Sequence, residues 1–169
     1  MRIITVCACG MLLLTSAARA EAQLKFSGTC VAQKADPQYT AQVGDRAGHI
    51  LMLAKQKCTW NKAELAGLEL KDEDDTVTSD MTGKTSHDRG YGVGTAANGD
   101  KYFVRFDGTT TFTNNVPTAL QCTWSFTGGT GKLKGITGKG TCSGPINPDG
   151  TANVNVEGTY QIAATPKTE

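Results

Sequence analysis

Residues 151–162 read T-A-N-V-N-V-E-G-T-Y-Q-I, and apolar and polar side chains alternate along them. One face carries Ala152, Val154, Val156, Tyr160 and Ile162, whereas the positions between them are mostly Asn, Glu, Thr and Gln. A period of two is typical of an extended strand with one buried face and one solvated face. The segment therefore predicts an antiparallel strand that covers a core.

Other segments repeat this pattern. In residues 118–127, Leu120, Cys122, Trp124 and Phe126 share one face. An Asn98-Gly99 pair, which suits a tight hairpin turn, separates two further extended segments. Residues 50–53 are apolar at every position, which predicts a covered or central strand. The predicted strands are 24–32, 49–60, 89–95, 101–113, 118–127 and 151–162.

Two segments lack this clear alternation. Residues 61–68 are the best helical candidate, long enough for one or two turns. Residues 71–75 read K-D-E-D-D and open a weakly patterned region that extends to Asp88. We predict a short hairpin or loop there, with the acidic side chains in solvent.

The charge balance limits the partners. The chain has 169 residues, with 17 Lys and Arg against 16 Asp and Glu, which leaves a net charge of +1 at pH 7. A nearly neutral protein has no summed field to hold nucleic acid or an anionic membrane surface. We expect no nucleic-acid partner, and no later apolar run is long enough to predict membrane insertion.

The first twenty residues have the pattern of a signal peptide. A basic start at Met1-Arg2 is followed by an apolar stretch at 3–14 and by Ala18-Arg19-Ala20, a small-x-small cleavage site. We predict cleavage before Glu21 and a single domain over residues 21–169. The protein is then expected to be exported, to a bacterial periplasm or the extracellular space.

Four cysteines follow the predicted cleavage site: Cys30, Cys58, Cys122 and Cys142. In an exported chain this even number predicts two disulfides, although four cysteines allow three pairings. Zinc is disfavoured because no C-x-x-C spacing occurs. The sequence C-T-W occurs at 58–60 and 122–124, and G-T-C occurs at 28–30 and 140–142. If these echoes mark related positions, Cys30 pairs with Cys58 and Cys122 with Cys142.

The strand pattern predicts an all-β protein. An antiparallel sheet of about eight strands exposes two edges unless it closes on itself. We therefore favour a closed or nearly closed barrel over a sandwich.

Residues 124–141 read W-S-F-T-G-G-T-G-K-L-K-G-I-T-G-K-G-T. This run resembles the strand, Gly-rich turn and strand of allene oxide cyclase and dirigent-type barrels, whose related stretch reads G-G-[ST]-G-x-[FY]-x-G-x-x-G. Together with 92–108 and the strand at 154–162, it makes the chain similar to small secreted bacterial proteins of this group that have no assigned activity. The resemblance covers roughly residues 67–162. It implies a calycin-like barrel with an internal cavity, and self-association as a trimer or dimer.

Aromatic residues are the candidate ligand-binding groups. Trp60 and Trp124 each lie two residues after a cysteine, so they should share its face and pack on the disulfides. The alternative is that they line an aromatic pocket. Tyr91 and Tyr102, from the hairpin around Asn98-Gly99, complete the candidate set.

The charged residues give weaker candidates for chemistry. A dirigent-like site would need a charged group and a Tyr on one interior face, but Arg105 and Asp107 lie opposite Tyr102. An outward ion pair is the favoured interpretation. His87 has no obvious partner, and His49 is equally well explained as a solvated residue at a strand end. Since the two His and the acids of 71–75 show no ligand spacing, we predict no metal site.

Three functions stay open at this point. We favour a non-catalytic module that binds a small apolar or aromatic ligand, with no cofactor. The alternatives are a cyclase-like or dirigent-like enzyme and a ligand-free structural or interaction protein of the envelope. An enzyme would need an acid, base or cation converging inside the barrel, whereas a structural protein would fill its interior with side chains.

Overall fold

The computed structural model describes residues 23–163, which form a ten-stranded antiparallel sheet. The predicted signal peptide and its cleavage site lie outside these residues. In the described part, no helix is long and apolar enough to cross a membrane. One 3-10 turn, Gly131–Leu133, precedes β9. The strands are β1 Leu24–Ala32, β2 Gln38–Gln42, β3 Ile50–Asn61, β4 Glu64–Leu65, β5 Leu68–Thr82, β6 Thr85–Ala96, β7 Lys101–Thr113, β8 Val116–Gly129, β9 Ile136–Pro145 and β10 Ala152–Ile162.

The strand pairings return to their starting point. The sheet order is β2-β3-β1-β10-β9-β8-β7-β6-β5-β4, and β3 also pairs with β5. Eight strands, all except β2 and β4, therefore follow one another in what we call the strand ring. The ladders differ in length: β3 lies along β5 from Ile50 to Thr59, but along β1 only from Cys58 to Asn61. The predicted all-β antiparallel class is confirmed, in a ring-like, partly barrel-shaped sheet.

Periodicity locates several strands well. The predicted segments 24–32 and 101–113 have the same bounds as β1 and β7. The turn at Asn98-Gly99 joins β6 to β7, with Gly99 at a φ of 87°. The inward faces expected in β8 and β10 are confirmed, since Trp124, Phe126, Val154 and Tyr160 are buried. Alternation is informative here because both strands keep one face on the core throughout.

The structure corrects two expectations about the sheet and decides between the alternatives of a third. The helix predicted for 61–68 is wrong, because β4 turns back onto β5 through Ala66 and Gly67, both at positive φ. Residues 71–88 are not a short hairpin or loop but most of the long β5–β6 hairpin, which turns at Gly83. The apolar run at 50–53 is central by pairing but not covered, since Leu51 on the outer face is 48% exposed.

The core lies between the inner faces of the strands. Its largest fully buried side chains are Tyr102, Leu65, Leu70, Leu133 and Ile136. A second buried cluster surrounds Cys30 and Cys58. Burying each large apolar side chain contributes about 1.5–3 kcal/mol, so these five side chains stabilise the fold strongly.

Both cysteine pairs suggested by the sequence echo are formed. Cys30 joins β1 to β3 through a bond to Cys58, and Cys122 joins β8 to β9 through a bond to Cys142. Cys122 and Cys142 are directly opposed in the ladder, with Cα atoms 4.9 Å apart. Two disulfides are compatible with an exported protein.

Reduction of the disulfides is expected to destabilise the protein. The two bonds close loops with sequence separations of 28 and 20, and the loss of each should lower the free energy of unfolding by about 3 kcal/mol. Urea unfolding of the oxidised and reduced protein measures this difference. A variant with all four cysteines changed to Ala is the control, because reductant should not move its midpoint. An equal midpoint for oxidised and reduced wild-type protein would contradict the expectation.

Candidate functional site

The inner faces of the strands line a cavity of about 550 Å³. This volume is in the range of sites that hold small organic ligands. The surface is mainly apolar, with aromatic side chains from β1, β3, β7 and β8. These aromatic residues are Phe26, Trp60, Tyr102, Phe106, Phe112, Trp124 and Phe126.

Contacts between the aromatic side chains fix their positions. Phe26 meets Trp60 and Trp124 edge to face, with ring centroids 5.6 and 5.7 Å apart. The indole Nε1 of Trp60 donates to the hydroxyl of Tyr102 over 2.8 Å. Trp124 Nε1 donates to the carbonyl oxygen of Thr141 over 3.1 Å. Both indole N–H groups are therefore satisfied within the wall, and the aromatic surface is preorganised.

A stripe of glycines on β6 makes room for these rings. Gly90, Gly92 and Gly94 face inward and pair across the ladder with Phe106, Val104 and Tyr102 of β7. A β-carbon at Gly94 would overlap the ring of Tyr102, and one at Gly90 would overlap the ring of Phe106. The absence of side chains on this face of β6 thus lets the β7 rings lie across it.

Two carboxyl groups of β5 also face the cavity. The register of the β5–β6 ladder shifts at one point. Leu70 pairs with Ala96 and Asp72 pairs with Thr95, so β5 has one extra residue between two consecutive pairs. This β-bulge reverses which positions face inward, so that Glu73 and Asp75 lie on the cavity side. The prediction that the acids of 71–75 are all in solvent is therefore wrong for these two residues.

The two carboxyl groups lie close together without a counterion. A β-carbon placed on Gly92 would be 2.5 Å from Asp75 Oδ1 and 2.9 Å from Glu73 Oε1, so both carboxyls lie over the same glycine. In the described chain no ion pair includes either carboxyl. Asp75 Oδ1 is buried and has no hydrogen-bond partner among residues 23–163.

This environment changes the proton affinity of the pair. Burial, followed by the charge of Glu73, raises the pKa of Asp75 to about 9. Burial also raises the pKa of Glu73, although hydrogen bonding with Tyr102 and Asp75 opposes the rise. For Tyr102, burial raises the pKa well above its usual value, so the phenol keeps its proton. Two adjacent buried carboxyls cannot both ionise easily, and the pair holds at least one proton at neutral pH.

The cavity lining is rich in acids. Asp88 on β6 accepts hydrogen bonds from Ser86 Oγ at 2.8 Å and Thr110 Oγ1 at 2.7 Å, so its carboxyl is satisfied. Lys34, in the loop after β1, is the one basic residue lining the cavity in the described chain, and it is exposed. Asp149, which is also exposed, lines the cavity from the β9–β10 loop. The interior thus combines aromatic walls with a carboxyl pair that has no counterion among the described residues.

The structure places the candidate aromatic residues in two locations. Trp60, Tyr102 and Trp124 all line the cavity, and Trp60 also packs against the cluster around the Cys30–Cys58 disulfide. Packing and lining are therefore not exclusive. Tyr91 lies on the outer face of β6, with 69% of its surface exposed, because it alternates with the inward glycines. It takes no part in the cavity lining.

The other charged candidates lie on the outer surface. Arg89 Nε contacts Asp107 Oδ2 at 3.0 Å, and His87 Nε2 contacts Asp107 Oδ1 at 2.8 Å. Hydrogen bonds from His87 and Arg89 lower the pKa of Asp107. Arg105 Nε instead donates to Ser125 Oγ at 3.1 Å. An outward ion pair of Asp107 is thus present, although its partner is Arg89 and not Arg105.

His49 is not the solvated residue considered above. Its Nδ1 lies 2.5 Å from Asp45 Oδ1 and its Nε2 lies 2.9 Å from Asp80 Oδ1, with 8% of the residue exposed. Carboxylates on both ring nitrogens hold the imidazole against the sheet. Among residues 23–163, no group of three or more His, Cys, Asp or Glu is arranged to hold a metal ion.

The Tyr102 hydroxyl should contribute to stability. In Tyr102→Phe, Trp60 Nε1 loses its acceptor inside the wall, which should lower the free energy of unfolding by about 1–2 kcal/mol. Chemical denaturation measures this change. Tyr39→Phe is the matched control, because Tyr39 is exposed and should tolerate loss of its hydroxyl. An equally small effect at both positions would show that the buried hydrogen bond contributes nothing.

Comparison with other proteins supports the fold class but identifies no family for this chain. No protein-family model matches the chain, and no curated protein matches it significantly in sequence. Among solved structures, the fold is similar to that of a dirigent protein. This is the pterocarpan synthase dirigent protein GePTS1, with a TM-score of 0.50 and 11% identity over 92% of this chain and 98% of that one. The chain thus has a dirigent-like β fold.

Proposed function

We propose that the protein is an exported, non-catalytic module that binds a small apolar or aromatic molecule inside the strand ring, which acts as a barrel. The observation that carries this proposal is the cavity of about 550 Å³ lined by aromatic side chains. A ligand-free structural protein would be expected to fill this space with its own side chains. The glycine stripe on β6 adds no side chains to this space, and the β7 rings that lie across Gly90 and Gly94 form part of the cavity wall.

Export is part of the proposal. It is supported by the signal-peptide pattern in the first twenty residues and by the two disulfides, which persist in an oxidising compartment. We place the protein in a bacterial periplasm or outside the cell. Self-association as a trimer or dimer is a further part of the proposal, and light scattering on the purified protein would measure its mass.

Binding can be tested with a neutral fluorescent probe and a variant that fills the cavity. N-phenyl-1-naphthylamine should gain fluorescence on binding to the wild-type protein. In Val77→Phe, an inward residue of β5 becomes larger, and binding should weaken by about tenfold or more. Thr78→Phe, which adds the same ring to an exposed neighbour, should bind like the wild type. Absence of saturable binding, or equal binding by both variants, would contradict the proposal.

A cyclase-like or dirigent-like enzyme is the second candidate, and the Glu73–Asp75 pair favours it. A carboxyl pair that holds a proton near neutral pH can donate it to, or accept it from, a reacting molecule. This is the convergent acid or base that the sequence did not reveal. The name of the structurally similar protein GePTS1, pterocarpan synthase dirigent protein, applies to that protein and does not assign an activity to this chain.

The two candidates differ in what happens to the bound molecule. Native mass spectrometry should detect a small adduct on protein isolated from its compartment, and denaturation should release it. If wild-type protein and the Asp75→Asn variant release the same compound, the protein is a binder. If they release different compounds related by a proton shift or ring closure, the enzyme is supported and the non-catalytic proposal is overturned.

A further inference from the structure

We propose that the ligand is a lipophilic organic cation, with an aromatic or apolar body and a protonated amine that contacts Glu73 and Asp75. This inference rests on the proposed binding function and specifies the chemistry of its ligand. Three features of the cavity carry it: a carboxyl pair without a counterion, an aromatic wall beside that pair, and the scarcity of basic residues in the lining.

One oxygen of the carboxyl pair lacks the partners that buried acids usually have, although Glu73 hydrogen-bonds with Tyr102 and Asp75. Asp88 on the same inner surface receives two hydroxyl hydrogen bonds, whereas Asp75 Oδ1 receives none in the described structure. Leaving a buried polar atom unpaired costs free energy, and a buried charge costs more. An ammonium group supplies a positive charge, which the pair lacks, and an N–H donor for Asp75 Oδ1.

The surrounding wall suits the rest of such a molecule. Tyr102 lies beside Glu73 in the lining and Trp60 contacts its hydroxyl, and aromatic faces attract cations through their quadrupole. Beyond them, Phe26, Trp124 and Phe126 provide apolar surface for an organic body. Because Trp60 Nε1 already donates to Tyr102, its N–H group is not free to bind an acceptor on the ligand.

The charge of the lining disfavours anions. A carboxylate or sulfonate would meet Glu73, Asp75 and Asp88, and the one basic residue of the described lining is the exposed Lys34. Repulsion between like charges is strong where water is excluded. A neutral apolar molecule would fit the walls but would leave Asp75 Oδ1 unpaired.

Binding of the cation should release a proton. In the free protein a proton on Asp75 limits the repulsion between the two carboxyls, and the bound ammonium replaces it. Asp75–COOH and R–NH₃⁺ then give a carboxylate–ammonium pair and one H⁺ in solvent. Of the described titratable groups near the pair, Tyr102 on β7 and Asp88 on β6 line the cavity and Asp74 points outward. The inward side chains of β3 are not ionisable. Amine affinity should therefore increase with pH until the amine itself loses its proton.

Three probes with the same aromatic body test the proposal: 1-pyrenemethylamine, 1-pyrenemethanol and 1-pyrenecarboxylate. At about pH 8, the amine should bind at least about tenfold more tightly than the alcohol, and the carboxylate most weakly. Calorimetry of the amine in buffers of different ionisation enthalpy should show release of about one proton. Alcohol binding should not change with pH.

Variants separate failure of this inference from failure of the binding function. Glu73→Gln and Asp75→Asn should remove the preference for the amine but keep alcohol binding, whereas the exposed Asp74→Asn should keep the preference. Circular dichroism would establish that each variant is folded. If no probe binds, the proposed function itself fails. If the alcohol binds as tightly as the amine, or if the amine binds without proton release, only the inference about the cation is overturned.

Discussion

Asp75→Asn is expected to raise the free energy of unfolding by about 3 kcal/mol at about pH 8, although it removes an acidic residue from the cavity wall. The reason is that burial and the neighbouring Glu73 raise the pKa of Asp75 to about 9 in the folded protein. The folded state therefore has to retain a proton or hold a charge without a partner, whereas the unfolded chain ionises freely. An amide has no such cost.

The sign of the pH dependence follows from that raised pKa. A carboxyl whose pKa is higher in the folded than in the unfolded state stabilises the fold most at low pH. This contribution is complete below the pKa of the unfolded state, here 3.8, and is lost as the pH rises toward about 9. The gain from Asp75→Asn should thus be small at about pH 3.5 and grow with pH. Urea unfolding across this range measures it, with the exposed Asp74→Asn as control. Equal pH profiles for the two variants would show that Asp75 ionises normally.

Gly94→Ala is expected to lower the free energy of unfolding by about 3 kcal/mol, a large effect for a single methyl group. The new β-carbon would overlap the ring of Tyr102, which is only 1% exposed. That ring has little freedom to move, because it accepts a hydrogen bond from Trp60 and packs edge to face on Phe126. The wall would have to shift as a unit.

Val93→Ala provides the comparison for Gly94→Ala. Val93 is the preceding residue of β6 and points outward, so its truncation should cost no more than about 1 kcal/mol. Thermal or chemical unfolding of both variants measures the difference. A stable Gly94→Ala protein would mean that the Tyr102 ring can move aside, and the preorganised aromatic wall would then be an incorrect description.

The sequence predicts those parts of the fold in which one face of a strand stays on the core. The strand at 101–113 and the inward set of Leu120, Trp124 and Phe126 are examples, because a period of two maps directly onto the two faces. The strand at Gln38–Gln42 was missed, since all its residues are exposed and no apolar alternation marks it.

The acidic pair could not be found by following the pattern from Leu68 and Leu70. If that alternation continued unbroken, Asp72 and Asp74 would face inward; the β-bulge instead turns Glu73 and Asp75 toward the cavity. A bulge of one residue leaves no clear mark in a run of similar acids. The later odd positions Val77 and Met81 were the available signal for the new phase.

The glycines of β6 illustrate a different limit. In the sequence R-G-Y-G-V-G at 89–94, alternate glycines leave a strand without apolar side chains on its inner face, and the pattern directs attention to Tyr91. Only the cross-strand register shows that the rings of Phe106 and Tyr102 occupy the space over Gly90 and Gly94. The side chains that fill this face come from β7.

The short ladder between β1 and β3 also has a consequence for motion. Their pairing covers only 29–32 and 58–61, and the Cys30–Cys58 bond lies within it. Backbone amides in this ladder should exchange with deuterium faster than those of the long β6–β7 ladder, because fewer neighbouring hydrogen bonds protect them. The covalent bond limits how far the two strands can separate during such openings. A molecule that enters the cavity between β1 and β3 should therefore do so faster after the Cys30–Cys58 bond is reduced.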